Sequence, residues 1–231
     1  MEYLSNGLAQ AWVLLANLDE DTLSAIYATL GSTGYAMIVA LLFGLPGGFL
    51  LGYYKFPCKR FIRLISDTLV AFPTVLIGLL VYAFITARGP LGEYGLLFTL
   101  KGMAIGQAIL ALPIVMSWTA QAIEDLDPRC NMTLLSMGAN SKQLVYFSLF
   151  ECRYALAMVC ATAFGRVITE VGIAMMLGGN IRYSTRTMTT AIALETSKGE
   201  FARGIALGIV LLLMAFCINL ILTFCKRRGH S

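Results

Sequence analysis

The sequence predicts an all-α integral membrane protein with five transmembrane helices. Of its 231 residues, 58% are hydrophobic and only 13% are charged, whereas an ordinary soluble domain carries about 25% charged residues. Uncharged runs of the roughly 20 residues that cross a bilayer recur along the chain. Basic residues gather at the edges of these runs and not in a stripe with interleaved aromatic residues. We therefore expect one membrane domain, residues 1–231, with no nucleic-acid partner.

The first element is a short apolar stretch ahead of the first span. Residues 8–18 are apolar but too short to cross, and the acidic run DEDT follows them. We predict an external interfacial helix here. A basic n-region and a small-residue cleavage site are lacking, so we expect no cleaved signal peptide.

Four uncharged runs and one run that contains charge predict the spans. The predicted spans are about 23–54, 68–87, 102–123, 154–177 and 204–225. The fourth reaches spanning length only if Arg166 and Glu170 lie in the membrane. It also decides the topology, because five crossings leave both basic clusters inside, whereas four would put one outside. These clusters are Lys55, Lys59, Arg60 and Arg63 after the first span, and Lys226, Arg227 and Arg228 after the last. We therefore expect the amino terminus outside and the carboxyl terminus in the cytoplasm.

Glycines within the spans predict close helix packing, and prolines within the spans predict kinked helices. The glycines are Gly31, Gly34, Gly44, Gly47 and Gly48. They permit close approach to a neighbouring helix or to a second copy, although glycine is also simply common in membrane helices. Pro73 and Pro113 predict kinks. Neighbouring helices can absorb such kinks without functional consequence.

The cytoplasmic segment 124–153 predicts a helix, a turn and a second helix. Asp127 is suited to cap the first helix and Pro128 to its first position. Gly138 suits the left-handed residue that ends it, and Ser141 can cap the next helix. The apolar surface comes from Met132, Leu134, Leu135 and Met137.

An apolar cytoplasmic helix either lies on lipid headgroups or inserts into the groove of a partner. Asp125, Asp127 and Arg129 leave this helix close to neutral, whereas headgroup-binding helices are usually rich in Lys and Arg. We favour a partner, and a packing connector without a partner is the alternative.

The segment resembles the coupling segment of ABC importer permeases, with Gly138 at the conserved turn, although Met132, Thr133 and Leu134 replace the EAA letters. The stretch "GRVITEVGIAMMLGGNIRYSTRTMTTAI", 165–192, is similar to the pattern shared by molybdate and sulfate permeases. "AIALETSKGEF", 191–201, resembles the tungstate branch. The residues on matching positions are Arg166, Glu170, Gly172, Gly179, Asn180, Thr185 and Thr187.

The resemblance implies the type I ABC importer permease fold and an ATP-driven oxyanion importer in a bacterial or archaeal cytoplasmic membrane. Tungstate is the expected ion, with molybdate or sulfate as alternatives. The implied partners are cytoplasmic ABC ATPase subunits, an extracytoplasmic solute-binding protein, a second copy of the chain and membrane lipid. The implied ATPase-coupling residues are Asp127, Pro128, Met132, Leu135, Gly138 and Ala139.

Two pairs of charged residues each have two possible roles. Arg166 and Glu170 are four apart and so share a helical face. Either they neutralise each other and tie the fourth span to its neighbours, or Arg166 adds positive potential to an anion path. Arg182 and Arg186 lie in an external loop rich in hydroxyl groups, which suits either a tetrahedral oxyanion or a docked binding protein.

Other functional classes have less support. A self-sufficient channel or secondary transporter is the competing class, but Glu170 is the only acidic residue expected deep in a span. An enzyme is disfavoured, because His230 is the only histidine and the GxxxxGK[ST], HExxH and GxSxG motifs are absent. We expect no catalytic residue, metal or cofactor on this chain, with ATP used by the partner subunit. The six cysteines are expected to be reduced thiols.

Overall fold

The computed structural model describes residues 19–228, without the side chains of residues 128, 130, 131 and 221–228. Of the described residues, 78% are helical and none lies in a strand. The predicted interfacial helix at 8–18, the basic side chains of 226–228 and His230 lie outside the described residues. The helices are α1 Glu20–Tyr53, α2 Lys59–Val70, α3 Thr74–Ile85, α4 Leu100–Glu124, α5 Pro128–Ser136, α6 Ser141–Glu151, α7 Arg153–Ile168, α8 Gly172–Gly178, α9 Met188–Ser197 and α10 Phe201–Arg228.

Three helices are long and apolar enough to cross a membrane alone, namely α1, α4 and α10. Two bent pairs, α2 with α3 and α6 with α7, raise the number to five if each pair is one span. Five crossings therefore fit the lengths and compositions of the helices, as the sequence predicts.

The second predicted span, 68–87, is divided between two helices. α2 and α3 meet at a bend of 98°. Pro73 stands at the N-cap of α3, and it has no amide to donate and disfavours helical backbone at Phe72. Pro113, in contrast, is buried inside the continuous helix α4. Only the first of these two prolines interrupts its helix.

Helix α4 is central, and α1 packs along it at close range. A Cβ atom built on Gly44 would lie 2.9 Å from Val115 Cβ, and one on Gly48 would lie 2.5 Å from the Met116 carbonyl oxygen. Residue numbers rise together on both sides of this contact, so α1 and α4 run in the same direction. The glycine-rich face of the first span therefore packs within the chain at these positions.

The fourth predicted span, 154–177, is also interrupted. α6 and α7 form a bend of 55°, and three residues separate the end of α7 at Ile168 from the start of α8 at Gly172. After α8 the chain reverses through residues 179–187 into α9, which packs against α10 through Met188, Ala191, Leu207 and Val210. The region from 169 to 200 is thus a folded segment against the bundle and not a simple loop.

Cysteine side chains within the described part are free thiols: Cys58, Cys152, Cys160 and Cys217.

Candidate functional site

The segment after α4 has the helix–turn–helix geometry that its sequence predicts. The Asp127 side chain accepts a hydrogen bond from the Arg129 amide at 2.9 Å and so caps α5, with Pro128 at the first position. Gly138 has φ +83°, and the amide of Ala139 donates to the Leu134 carbonyl oxygen at 3.0 Å. This is the left-handed end of a Schellman motif.

The start of the second helix differs by one residue from the prediction. Asn140, and not Ser141, is the N-cap of α6. The Asn140 side chain accepts from the Gln143 amide at 2.9 Å, and the Gln143 side chain accepts from the Asn140 amide at 2.8 Å. Asn140 therefore forms a reciprocal capping box, which makes it the better cap.

The turn presents apolar side chains to its surroundings. Met132, Leu135 and Met137 are 66%, 57% and 78% exposed. Exposed apolar groups of this size, gathered on one short helix and its end, are typical of a docking surface. We call these three residues the coupling patch.

Glu170 does not lie on the same helix as Arg166, contrary to the prediction. α7 ends at Ile168, but the two side chains still meet, with 3.2 Å between Arg166 Nη1 and Glu170 Oε2. The other carboxylate oxygen of Glu170 accepts from the amides of Gly172 at 2.9 Å and Ile173 at 3.3 Å. Glu170 is 4% exposed, so its charge is compensated by Arg166 and by the start of α8.

The threonines after α8 are buried hydrogen-bonding residues. Thr185 Oγ1 donates to the Gly178 carbonyl oxygen, and Thr187 forms a capping box with Thr190 at the start of α9. Thr189 Oγ1 donates to the Glu170 carbonyl oxygen at 3.0 Å. These hydroxyl groups hold the folded segment together and are not free to bind an ion.

Gly172, Gly179 and Asn180 shape the turns of the same segment. A Cβ on Gly172 would lie 3.1 Å from Val75 Cγ2, which keeps α8 close to α3. Gly179 and Asn180 both have positive φ, +68° and +52°. Together they reverse the chain after α8.

Arg182 and Arg186 have different partners. Arg182 binds the Asp21 carboxylate through both Nε, at 2.6 Å, and Nη2. Hydrogen bonding to Asp21 also raises the pKa of the Tyr183 phenol. Arg186 Nε donates to Asn180 Oδ1 at 3.1 Å. Arg182 therefore ties the loop to α1, whereas Arg186 contacts no carboxylate within the part of the chain that is described.

Both arginines line a cavity of about 300 Å³ between α1, the loop, α9 and α10. We call it the outer cavity. Its charged lining consists of Asp21, Arg182, Arg186, Glu195, Lys198 and Arg203. Four cations face two carboxylates, so the cavity has a net positive charge.

Sequence reasoning missed four of these groups, Asp21, Glu195, Lys198 and Arg203. Lys198 pairs with Glu195 at 2.9 Å, and Arg203 Nη2 lies 3.9 Å from Asp21 Oδ2. The charged run from 195 to 203 between two apolar stretches was the available signal.

Comparison with known proteins identifies similar chains along the full length. Residues 44–229 match the family described as binding-protein-dependent transport system inner membrane component. The chain is 51% identical over 227 residues to the tungstate uptake system permease protein TupB of Campylobacter jejuni, covering 98% of this chain and 95% of that protein. It is 33% identical to the protein of the same name from Peptoclostridium acidaminophilum, covering 96% and 97%.

A chain of the MetNI methionine ABC transporter in an inward-facing conformation has a similar structure. The TM-score is 0.74 over 92% of this chain and 97% of that chain. At 15% identity, this likeness extends to the fold alone.

Proposed function

Because the chain belongs to the family of binding-protein-dependent transport system inner membrane components, we propose that it is the permease subunit of an ATP-driven tungstate importer. One observation carries the proposal, namely the 51% identity to a tungstate uptake permease over 98% of the chain. A second tungstate uptake permease covers 96% of the chain at 33% identity. The all-helical fold with several apolar helices suits a transport subunit.

ATP hydrolysis belongs to a separate subunit in this proposal. The chain contains no GxxxxGK[ST] motif, whose glycine-rich loop would cradle the phosphates of ATP. The energy of hydrolysis must then reach the membrane helices through a protein contact. The coupling patch supports such a contact, because its three exposed side chains can enter a groove on the ATPase as anchors of an apolar helix.

The turn at Gly138 makes this contact mechanically useful. Its left-handed backbone and the Ala139–Leu134 hydrogen bond hold α5 at a defined angle to α6. α6 leads through a single bend into α7. A displacement of the coupling patch would therefore be passed to α7 and to the segment that contains Arg166 and Glu170.

The outer cavity is proposed as the region that receives the anion from the solute-binding protein. Tungstate is a tetrahedral dianion, and guanidinium and ammonium groups are its natural hydrogen-bond donors. Arg186 supports this role best, since its charge is not paired with a carboxylate in the described part of the chain. The Arg166–Glu170 pair is assigned to structure, because each charge already has a partner.

The test is tungsten accumulation by cells that lack tungstate uptake and express this chain together with its ATPase and binding protein. We expect uptake from dilute tungstate that persists in excess sulfate and requires an intact ATPase. If excess sulfate abolished tungsten uptake, and excess molybdate or tungstate competed only weakly with sulfate uptake, the system would be assigned to sulfate. Uptake by vesicles that contain this chain alone, without ATP, would assign it to the secondary-transporter or channel class.

A further inference from the structure

We infer that the basic pocket where α1 ends and α2 begins binds the phosphate headgroup of an anionic phospholipid. This α1–α2 basic pocket encloses about 670 Å³. Its charged and aromatic lining consists of Lys55, Phe56, Lys59, Arg60, Arg63 and Glu124. Four cations therefore surround one carboxylate. The inference rests on this charge and on the membrane-spanning helices, and not on which ion is transported.

Lys59 fixes the position of the pocket in the bundle. Its Nζ donates to the Gly52 carbonyl oxygen at 3.1 Å and lies 2.9 Å from Glu124 Oε1. Gly52 is in the last turn of α1 and Glu124 is the last residue of α4. The pocket therefore lies at the membrane end where both spanning helices stop, on the same side as α5.

Two of the four cations have partners in the protein and two do not. Besides Lys59, Arg63 is engaged, with 3.1 Å to Asp67 Oδ2 and 2.9 Å to Gln121 Oε1. Lys55 and Arg60 are exposed and make no hydrogen bond or ion pair with any described residue. Two positive charges at the mouth of the pocket are thus left for an external anion.

The face of α2 on which Arg60 lies identifies the kind of anion. α2 contacts α4 through Arg63 and Asp67, since Asp67 accepts a hydrogen bond from Ser117. Away from that contact, Phe61 and Leu64 are each 64% exposed. Arg60 precedes Leu64 by one helical turn and so shares its face.

An exposed cation with exposed apolar side chains at the next residue, Phe61, and one turn later, Leu64, matches the order of groups in a phospholipid. The phosphate meets Arg60 and Lys55, and the acyl chains continue over Phe61 and Leu64. A small soluble anion would match the charge but leave the apolar surface uncovered. Basic pockets between membrane helices on the cytoplasmic side are typical sites for anionic headgroups.

The experiment is native mass spectrometry of the full chain, purified in micelles that contain equal amounts of phosphatidylglycerol and phosphatidylcholine. We expect the wild-type chain to retain phosphatidylglycerol preferentially. The double substitution Lys55→Gln with Arg60→Gln should lower the ratio of retained phosphatidylglycerol to phosphatidylcholine about fivefold for each lost charge. A second variant that exchanges the two cations, Lys55→Arg with Arg60→Lys, keeps both charges and should keep the wild-type ratio.

The matched control is Arg88→Gln with Lys101→Gln, which removes two cations from the opposite end of the bundle and should leave the ratio unchanged. Equal retention of both lipids by the wild-type chain would overturn the inference, as would an equal fall in the control. An unchanged lipid ratio in the Lys55/Arg60 variant would also overturn it. Loss of the ATPase when the same variant is purified with its partner subunits would then assign the pocket to an acidic protein surface.

Discussion

Glu170 alone makes polar contacts with four separate groups. Its carboxylate binds Arg166 on one oxygen and two amides of α8 on the other, and its carbonyl oxygen accepts from Thr189. A buried carboxylate without partners would be costly, and these hydrogen bonds and the ion pair offset that cost. The residue thus holds the break between α7 and α8 in place.

Substitution of Glu170 should separate its charge from its hydrogen bonding. Glu170→Gln keeps a carbonyl acceptor for the amides of α8 but leaves Arg166 uncompensated, whereas Glu170→Ala removes both. We expect Glu170→Ala to cost about 1 kcal/mol more than Glu170→Gln, the usual contribution of a helix cap. Thermal unfolding of the purified chain in detergent measures this. Equal melting temperatures for the two variants would show that the amide contacts contribute nothing.

Arg186 is the residue at the outer cavity whose charge is least committed to the fold. We expect Arg186→Ala to reduce tungstate uptake about tenfold, since a hydrogen bond to a charged group contributes about 1.5 to 3 kcal/mol. Membrane insertion should be unchanged, because the hydrogen bonds of this side chain within the described residues go to Asn180 in its own loop. Uptake and membrane content are measured in the same cells.

Arg88→Ala is the matched control for Arg186, because Arg88 is an exposed arginine in the loop between α3 and α4. It should leave uptake unchanged. Normal uptake by Arg186→Ala would remove this side chain from the transport mechanism.

At the scale of the helices, α1 and α4 pack closely because glycines on α1 leave room for the backbone of α4. The spacing of Gly44, Gly48 and Gly52 places one small residue on each turn toward α4. Without a strong hydrophobic driving force inside lipid, close packing of this kind is a main source of helix association.

Gly48→Ala should therefore destabilise the protein, because the new Cβ would lie 2.5 Å from the Met116 carbonyl oxygen and 2.6 Å from Thr119 Cβ. Gly34→Ala is the matched control on the same helix, since nothing lies within 4 Å of its Cβ position. That change should be neutral or stabilising by up to about 1 kcal/mol through helix propensity. Melting temperatures of both variants give the comparison. A lower melting temperature for Gly34→Ala than for Gly48→Ala would contradict the packing.

In the proposed ATPase contact, the exposed apolar side chains of α5 supply the binding energy. Burial of an exposed large apolar side chain contributes about 1.5 kcal/mol or more. Met132→Ser with Leu135→Ser should therefore weaken retention of the ATPase subunit at least tenfold and reduce ATP-dependent uptake. Copurification from membranes measures the retention.

Thr133→Ala with Ser136→Ala is the control on the same helix. It removes two hydroxyl groups that bond only to the backbone of their own helix, so retention of the ATPase should not change. Loss of the ATPase in the control but not in the Met132/Leu135 variant would place the contact on another surface.

Across the whole molecule, polar and basic groups divide between the two ends of the bundle. Asp21 at the start of α1 meets Arg182 and Arg203 at one end, and Lys59 meets Glu124 at the other. Large apolar side chains between these ends are exposed, among them Ile38, Leu42 and Phe216. Such a surface suits contact with lipid or with a second copy of the chain.

This division predicts the orientation. In a variant without its six native cysteines, Glu93→Cys should react with a membrane-impermeant maleimide in intact cells. Arg129→Cys should react only after the cells are permeabilised, because the positive-inside rule places the segment after α4 in the cytoplasm. The reverse pattern would invert the proposed topology and place the coupling patch outside.

Local signals in the sequence were sufficient for much of the fold. The apolar runs predict five crossings, because span length is set by the thickness of the bilayer, and the helices fit this number if each bent pair is one span. Asp127 and Gly138 predict the ends of α5 correctly, because a cap depends on hydrogen bonds within a few residues of itself. The resemblance at 165–192 agrees with the family to which the chain belongs.

Tertiary structure alone decided the features that depend on distant residues. The contact between Arg182 and Asp21 joins positions 161 residues apart, and no periodicity in the sequence encodes that pairing. The sequence predicts kinks at both Pro73 and Pro113, but only the structure shows a 98° bend between two helices at Pro73 and an uninterrupted α4 at Pro113. It also shows that α7 ends before Glu170. The sequence by itself therefore determined a multi-pass permease of the oxyanion type with a helix–turn–helix segment after α4. The outer cavity and the contacts of Glu170 required the packed bundle, because long-range contacts follow from packing and not from local pattern.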